Sequence, residues 1–319
     1  MAQVDKMMGS QPLHADSYLI IGGTTKAATT SLFTYLGDHP EICKAALKET
    51  RYFLDADYPV PVKRKTGQDR SEYNSFFINA GQCIRLEATP DYLHSIGTPE
   101  RIHRTLDQVR FVFLLRDPID RLVSWYRFAC QNGALCPDVS FEDYVAIQVE
   151  GSAIDVGSQH LLAMEQGRYT KALERYLDLY GSDRVWIGFF EDLSENPLVL
   201  LQDICRFAGI DTAFFVDYTF EVHNRTRDIR FNNLNRQIRA LRASLRKRLP
   251  TKGGRLHKLL KTVNSRLDPF INKLLGQENK EVFISDHLMR QLQNYYADDI
   301  RSLKILLDRE SLPWSNFNT

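Results

Sequence analysis

The chain has 319 residues, 43% hydrophobic and 25% charged, and a formal net charge of +1. That composition excludes collagen-like, disordered and disulfide-scaffold chains, and so balanced a charge gives no overall polybasic character that would argue for a nucleic-acid partner. No run approaches the ~18 consecutive apolar residues of a spanning helix, so no membrane partner is expected.

Residues 1–17 form a polar tail without the apolar core of a signal peptide. Tyr18–Gly23 reads as a buried strand and Thr29–Leu36 as the helix behind it. Ile84–Glu87 is a shorter strand. Val109–Leu115 is the strongest, and Ile119, Leu122, Val123 and Tyr126 follow it at helical spacing. Arg184–Phe190 is another strand, Pro197–Phe207 a helix closed by Gly209, and Asp286–Leu307 a final helix. Strands alternating with helices predict right-handed crossovers and an α/β fold whose central, mainly parallel sheet is covered on both faces. Between Glu221 and Lys280 sixteen Lys or Arg stand against four acids, with leucines at helical spacing inside this basic stretch. The expected organisation is one domain over 18–319, with a helical C-terminal part from about 231.

The five cysteines are an odd count with no CxxC spacing, and Cys130 and Cys136 have no His or Cys pair nearby to complete a zinc site. Reduced thiols in a cytoplasmic protein, with no metal site, are the simplest account.

Two turns carry the chemistry. The first strand runs through Gly22-Gly-Thr-Thr-Lys-Ala-Ala-Thr-Thr30 into a helix. Glycines let the chain leave the strand tightly. The first helical amides lack intrahelical acceptors and lie at the positive end of the dipole, which makes an anion site that Lys26, Thr29 and Thr30 would deepen. A plain strand-to-helix turn with a structural threonine is the bland alternative. This is not the nucleoside-triphosphate P-loop, in which Lys directly precedes the Mg²⁺-binding hydroxyl; here Lys26 is followed by Ala27. The second turn, Arg116-Asp-Pro118, follows the strongest strand, and Ser124 lies further along its helix. Parallel sheets bind ligands at the carboxyl ends of their strands, and an Arg fork matches phosphate. Pairing of Arg116 with a local acid such as Asp117 is the bland alternative.

Together these segments resemble the sulfotransferases that use 3′-phosphoadenosine-5′-phosphosulfate (PAPS). Gly22–Leu32 is similar to their 5′-phosphosulfate loop, and Arg116-Asp-Pro to Ser124 to their 3′-phosphate motif. Asp38-His-Pro-Glu41, Leu47-Lys-Glu-Thr-Arg-Tyr-Phe53, Glu87-Ala-Thr-Pro-Asp-Tyr92 and Phe190-Glu-Asp-Leu193 resemble the heparan-sulfate and bacterial branch. The resemblance covers Tyr18 to about Arg230. It implies a P-loop-like three-layer sandwich and transfer of a sulfuryl group from PAPS, leaving PAP, to a hydroxyl or amine of a small molecule or glycan, with no metal required. It further implies that Lys26, Ala27, Ala28, Thr29 and Thr30 hold the 5′-phosphosulfate. Arg116 and Ser124 hold the 3′-phosphate, Arg227 or Arg230 adds a contact from a closing loop, and Glu49 is the general base.

One position departs from that branch. Ala88 stands where a lysine often follows the Glu of the Glu-x-Thr-Pro motif, which speaks against a heparan-like acceptor; Lys48 or Arg85 could supply the missing cation. His94, close behind Thr89-Pro90-Asp91, is the rival base, and Asp91 could also approach an acceptor. His39, in its His-Pro turn, reads as structural. Tyr52, Phe53, Tyr58, Tyr73, Phe76 and Phe77 form either an acceptor wall suited to a ring-containing molecule or ordinary core. Two other readings remain: a P-loop small-molecule kinase, against which the displaced lysine counts, and a non-enzymatic polyanion-binding module using the basic stretch. The oligomeric state has no signature in the sequence.

Overall fold

The longest apolar run of the sequence becomes a fully enclosed strand. In the computed structural model, which describes residues 17–60, 67–78, 83–136, 138–151, 158–221 and 282–317, every residue of Val109–Leu115 (β4) is buried. So is every residue of Tyr18–Gly23 (β1) and Ile84–Ala88 (β3). Continuous burial is what a parallel strand covered on both faces requires, and it takes in Arg85 and Glu87, which alternate with the apolar residues of β3, and Arg110 of β4.

With Ile42–Lys44 (β2) and Val185–Phe189 (β5) these strands form a five-stranded sheet in the order β2-β3-β1-β4-β5. Every pairing is parallel. β1 and β4 are neighbours in register from Tyr18↔Val109 to Gly23↔Phe113, so the turns that leave them emerge side by side.

Residues alternate between the two faces, as a strand's period of two dictates. Leu19, Ile21, Leu86, Val112 and Leu114 share one buried cluster with Leu32 and Leu36 of Thr29–Gly37 (α1) and with Leu201 and Ile204 of Pro197–Ala208. On the other face the Phe111 and Phe113 rings lie 4.9 and 4.7 Å from that of Tyr176, on Thr170–Tyr180. Helices thus cover both faces, giving the three layers expected. The strands match the sequence reading closely, except that β2, three residues long, carried no readable signal. Gly209 takes φ 76° at the end of 197–208, the left-handed conformation a glycine stop supplies.

The contacts divide the chain into two units. The first comprises 1–122, 152–224 and 286–319, and holds the sheet and the helix Asp286–Leu306. The second comprises 123–151 and 225–285. Its described part includes most of the helix Pro118–Asn132 and all of Phe141–Val149, the latter opened by a Ser140/Asp143 capping box. Tyr126 packs there at 5.4 Å on the Phe141 ring and donates to the Val139 carbonyl at 2.9 Å. The helices expected within the basic stretch between residues 231 and 280 lie outside the described residues, as do Arg227 and Arg230, whereas the expected final helix is present as Asp286–Leu306.

Candidate functional site

The loop after β1 is held in an unusual backbone course. Lys26 has φ 73° and Ala28 φ 56°, both left-handed without a glycine, a conformation that costs on the order of 1 kcal/mol per residue. Two arginines grip the carbonyls of this segment. Arg121 Nε donates to Thr25 O at 2.9 Å, and Arg116 Nη1 donates to Lys26 O at 3.1 Å. Arg121 is fully buried and also donates to Ala163 O and Gln166 Oε1. Gly22 is required by contact: a Cβ there would come within 2.6 Å of the Phe113 ring.

Ala28 occupies the N-cap position of α1 and has no side chain to cap it, so no side chain competes for the first amides of the helix. Thr29 is nearly buried and Thr30 half-buried beside them. Burial, then the charges of Arg116 and Arg121, depress the Lys26 ammonium to about 8. Three cations around one loop are a field waiting for an anion.

The turn after β4 is equally well braced. Asp117 caps the helix that starts at Pro118, accepting from the Ile119 amide at 2.9 Å. Its own amide donates to Glu191 Oε1 at 3.0 Å, and its other carboxylate oxygen accepts from Asn316 Nδ2 at 3.0 Å. Tyr169 hydroxyl donates to Arg116 O at 2.8 Å, and Trp314 Nε1 donates to Glu191 Oε2 at 3.2 Å. The Arg116 guanidinium lies 4.4 Å from the Phe190 ring centroid, with a buried Nε that has no hydrogen-bond partner among the described residues. Arg116 therefore turns toward the lysine loop through Lys26 O, not to Asp117. Burial pushes Glu191 up to about 7, with the Asp117 amide opposing. Ser124 is half-buried further along the same helix, in the second unit.

Glu49 follows β2 and lies beside the end of β3, its amide donating to Ala88 O at 2.9 Å. Its side chain is 34% exposed and pairs with both Lys48 (3.2 Å) and Arg51 (2.8 Å). Burial raises its pKa, but the two cations outweigh it and hold the carboxyl below the ordinary glutamate value. Two oxygens each keep a lone pair beyond these contacts. Lys48 and Arg51 thus bring cations beside position 88, where Ala88 has none. Arg85 does not: it lies at the opposite end of β3, its guanidinium 5.5 Å over the Tyr18 ring.

His94 closes the 3-10 turn Pro90–Leu93. Its Nε2 is enclosed without a hydrogen-bond partner among the described residues, and burial together with Arg121 and Arg175 holds the imidazole well below its usual pKa. His39 is structural, as read: Nδ1 accepts from the Glu41 amide and Nε2 meets Asp211 O at 2.9 Å. Most of the aromatic wall is core. Tyr52, Phe53, Tyr58, Tyr73 and Phe77 are at most 8% exposed, and the Phe53 and Tyr73 rings lie 4.7 Å apart; Phe76, packed against Tyr52 and Tyr73, is half-buried.

Sequence reasoning missed Arg121, Gln159, Tyr169, Trp314 and Asn316 as builders of these turns. Arg121 had a signal available, five residues past Arg116 on the helix that follows it.

With two cation-bearing turns at adjacent strand ends, a profile of the sulfotransferase domain matches residues 18–296. The chain belongs to the sulfotransferase domain family. It is 26% identical over 216 residues to the human bifunctional heparan sulfate N-deacetylase/N-sulfotransferase 2, a match covering 63% of this chain and 22% of that protein. It is 35% identical over 112 residues to the membrane-associated sulfotransferase kil1 of Dictyostelium discoideum, covering 35% of this chain and 23% of that one. The chain thus spans less than a quarter of either relative. A sulfotransferase crystal structure from Alicyclobacillus acidocaldarius has the same fold, with a TM-score of 0.63 at 21% identity, covering 93% of this chain and 98% of that one.

Proposed function

We propose that this sulfotransferase-family protein moves the sulfuryl group of PAPS to a hydroxyl or amine of a small-molecule or carbohydrate acceptor. The observation that carries this reading is the hydrogen bond from Arg116 to Lys26 O. It joins two electropositive turns on neighbouring strands, the spacing a donor with phosphates at its 5′ and 3′ positions calls for.

In this reading Lys26, the amides of Ala27 and Ala28, and the hydroxyls of Thr29 and Thr30 hold the 5′-phosphosulfate. Arg116 and Ser124 hold the 3′-phosphate, with Arg227 or Arg230 contributing from outside the described residues. As the donor bond lengthens, negative charge grows on the departing oxygen. Lys26 and fixed amides stabilise it without reorganisation. An anion beside Lys26 restores the full ammonium that burial has weakened.

Glu49 is the base. It is ionised at neutral pH, partly open to solvent and steadied by Lys48 and Arg51. His94 is the poorer choice, since an imidazolium beside Arg121 and Arg175 is disfavoured. No metal is needed in this scheme, and Ala27 denies the loop the hydroxyl that a kinase P-loop places on Mg²⁺. The test is direct: PAP binding by calorimetry, then an acceptor screen with PAPS read by product mass. Failure of the wild-type chain to bind PAP would overturn the assignment.

A further inference from the structure

The lysine loop has a third restraint, one that comes from below. Thr25 Oγ1 donates to Asp91 Oδ1 at 3.1 Å, and the same oxygen accepts from the Gln159 side-chain amide. Asp91 is only 4% exposed and sits on the 3-10 turn directly after β3, the strand that pairs with β1. Its base is therefore the sheet itself. Gln159 opens the turn Gln159–Leu162; four and seven residues on, Ala163 O and the Gln166 side chain take the Arg121 guanidinium. One segment, 159–166, thus backs both contacts on Thr25: Asp91 on its hydroxyl and Arg121 on its carbonyl.

We propose that Asp91 is a positioning residue for sulfuryl transfer, fixing the left-handed course of the lysine loop through the Thr25 hydroxyl. The inference rests on the function proposed above. It assigns Asp91 no contact with donor or acceptor; the residue acts through Thr25 on the next residue, Lys26.

The clamp is charge-dependent. A carboxylate accepts both donors well, whereas a protonated carboxyl accepts weakly and turns one oxygen into a donor. Among the described residues Asp91 is faced by the Thr25 hydroxyl, by Glu49 and Arg51 from the segment after β2, by the buried Tyr58 phenol and by the Gln159 amide. Burial first, then the Glu49 charge, push Asp91 up to about 6; Arg51, Thr25 and Gln159 oppose them. The clamp is closed at neutral pH and loosens below about 6.

Asp91→Asn, Thr25→Val and the double variant test this, with Thr25→Ser as the conservative control and thermal unfolding to confirm that each is folded. Each single change should lower kcat/KM for PAPS about tenfold, the usual worth of a hydrogen bond to a charged group. The double variant should lose no more than either single one, because both cut the same link. Thr25→Ser should restore most of the activity. PAP affinity measured at pH 7.5 and 5.5 supplies the second readout. The phosphates of PAP titrate in this range as well, so the ratio of wild type to Asp91→Asn is what matters: several-fold at pH 7.5, near one at pH 5.5. Independent, additive losses in the double variant, or a ratio unchanged with pH, would overturn the clamp while leaving the donor assignment intact. Absence of PAP binding to wild type would instead remove the assignment on which it rests.

Discussion

Replacing Lys26 with methionine should destroy activity and yet stabilise the empty protein. Burial and two facing guanidiniums lower the Lys26 ammonium from 10.5 to about 8. At about 1.4 kcal/mol per pH unit, that places a penalty of about 3 kcal/mol on the charged form in the folded state. The sign follows from proton linkage. In the unfolded chain the lysine stays protonated up to its ordinary pKa, while in the fold it sheds its proton from about pH 8, so the penalty is fully present at neutral pH and disappears as pH rises from 8 to 10.5. Methionine keeps the length and removes the charge. At about 2 °C per kcal/mol for a chain of this size, Lys26→Met should raise Tm at pH 7 by up to ~6 °C and leave it nearly unchanged near pH 10.5. Turnover with PAPS should fall on the order of a hundredfold or more. Thermal unfolding at the two pH values, beside a turnover assay on the same samples, measures both. A variant less stable than wild type at pH 7 would show that the ammonium contributes more to the empty fold than burial and the two guanidiniums cost it, and the argument for a poised anion site would fail.

Arg116→Ala should weaken PAP binding tenfold or more while changing affinity for adenosine 5′-phosphate far less; equal losses for both nucleotides, measured by calorimetry, would remove its role at the 3′-phosphate. Glu49→Gln should cut kcat by on the order of a hundredfold with PAP affinity nearly intact, and full activity in this variant alongside an inactive His94→Ala would transfer the base role to His94. Chelation with EDTA should leave turnover unchanged; loss of activity that Mg²⁺ restores would favour the kinase reading.

What could be read from the sequence is what lies close along it. β1 and β4 announce themselves as apolar runs, interrupted in β4 only by Arg110, because both their faces are covered, and the loops that leave them carry Lys26 and Arg116 in adjacent positions. Their meeting follows from strand order, and order depends on which strand each crossover returns beside. The supports are another matter. Asp91 meets Thr25 across 66 residues, Tyr169 meets the Arg116 carbonyl across 53, and Asn316 meets Asp117 across 199. No spacing rule links such pairs. Arg85 shows the same limit from the other side: three positions before Ala88 in sequence, it is at the far end of a parallel strand. The aromatic cluster around Tyr73 had the composition of either a binding wall or a core, and only packing distinguishes them.

The brace on the Arg116 turn also sets an order of events during synthesis. β1 and β4 can pair once residue 115 is available, but the Asp117 carboxylate and the Glu191 carboxylate wait for Asn316 and Trp314. At 5–20 residues per second the ribosome needs roughly 10–40 s to cover that stretch. A nascent chain can therefore own its sheet well before it owns a finished nucleotide pocket, and a ribosome-arrested chain stopped short of residue 314 should be compact yet fail to retain PAP.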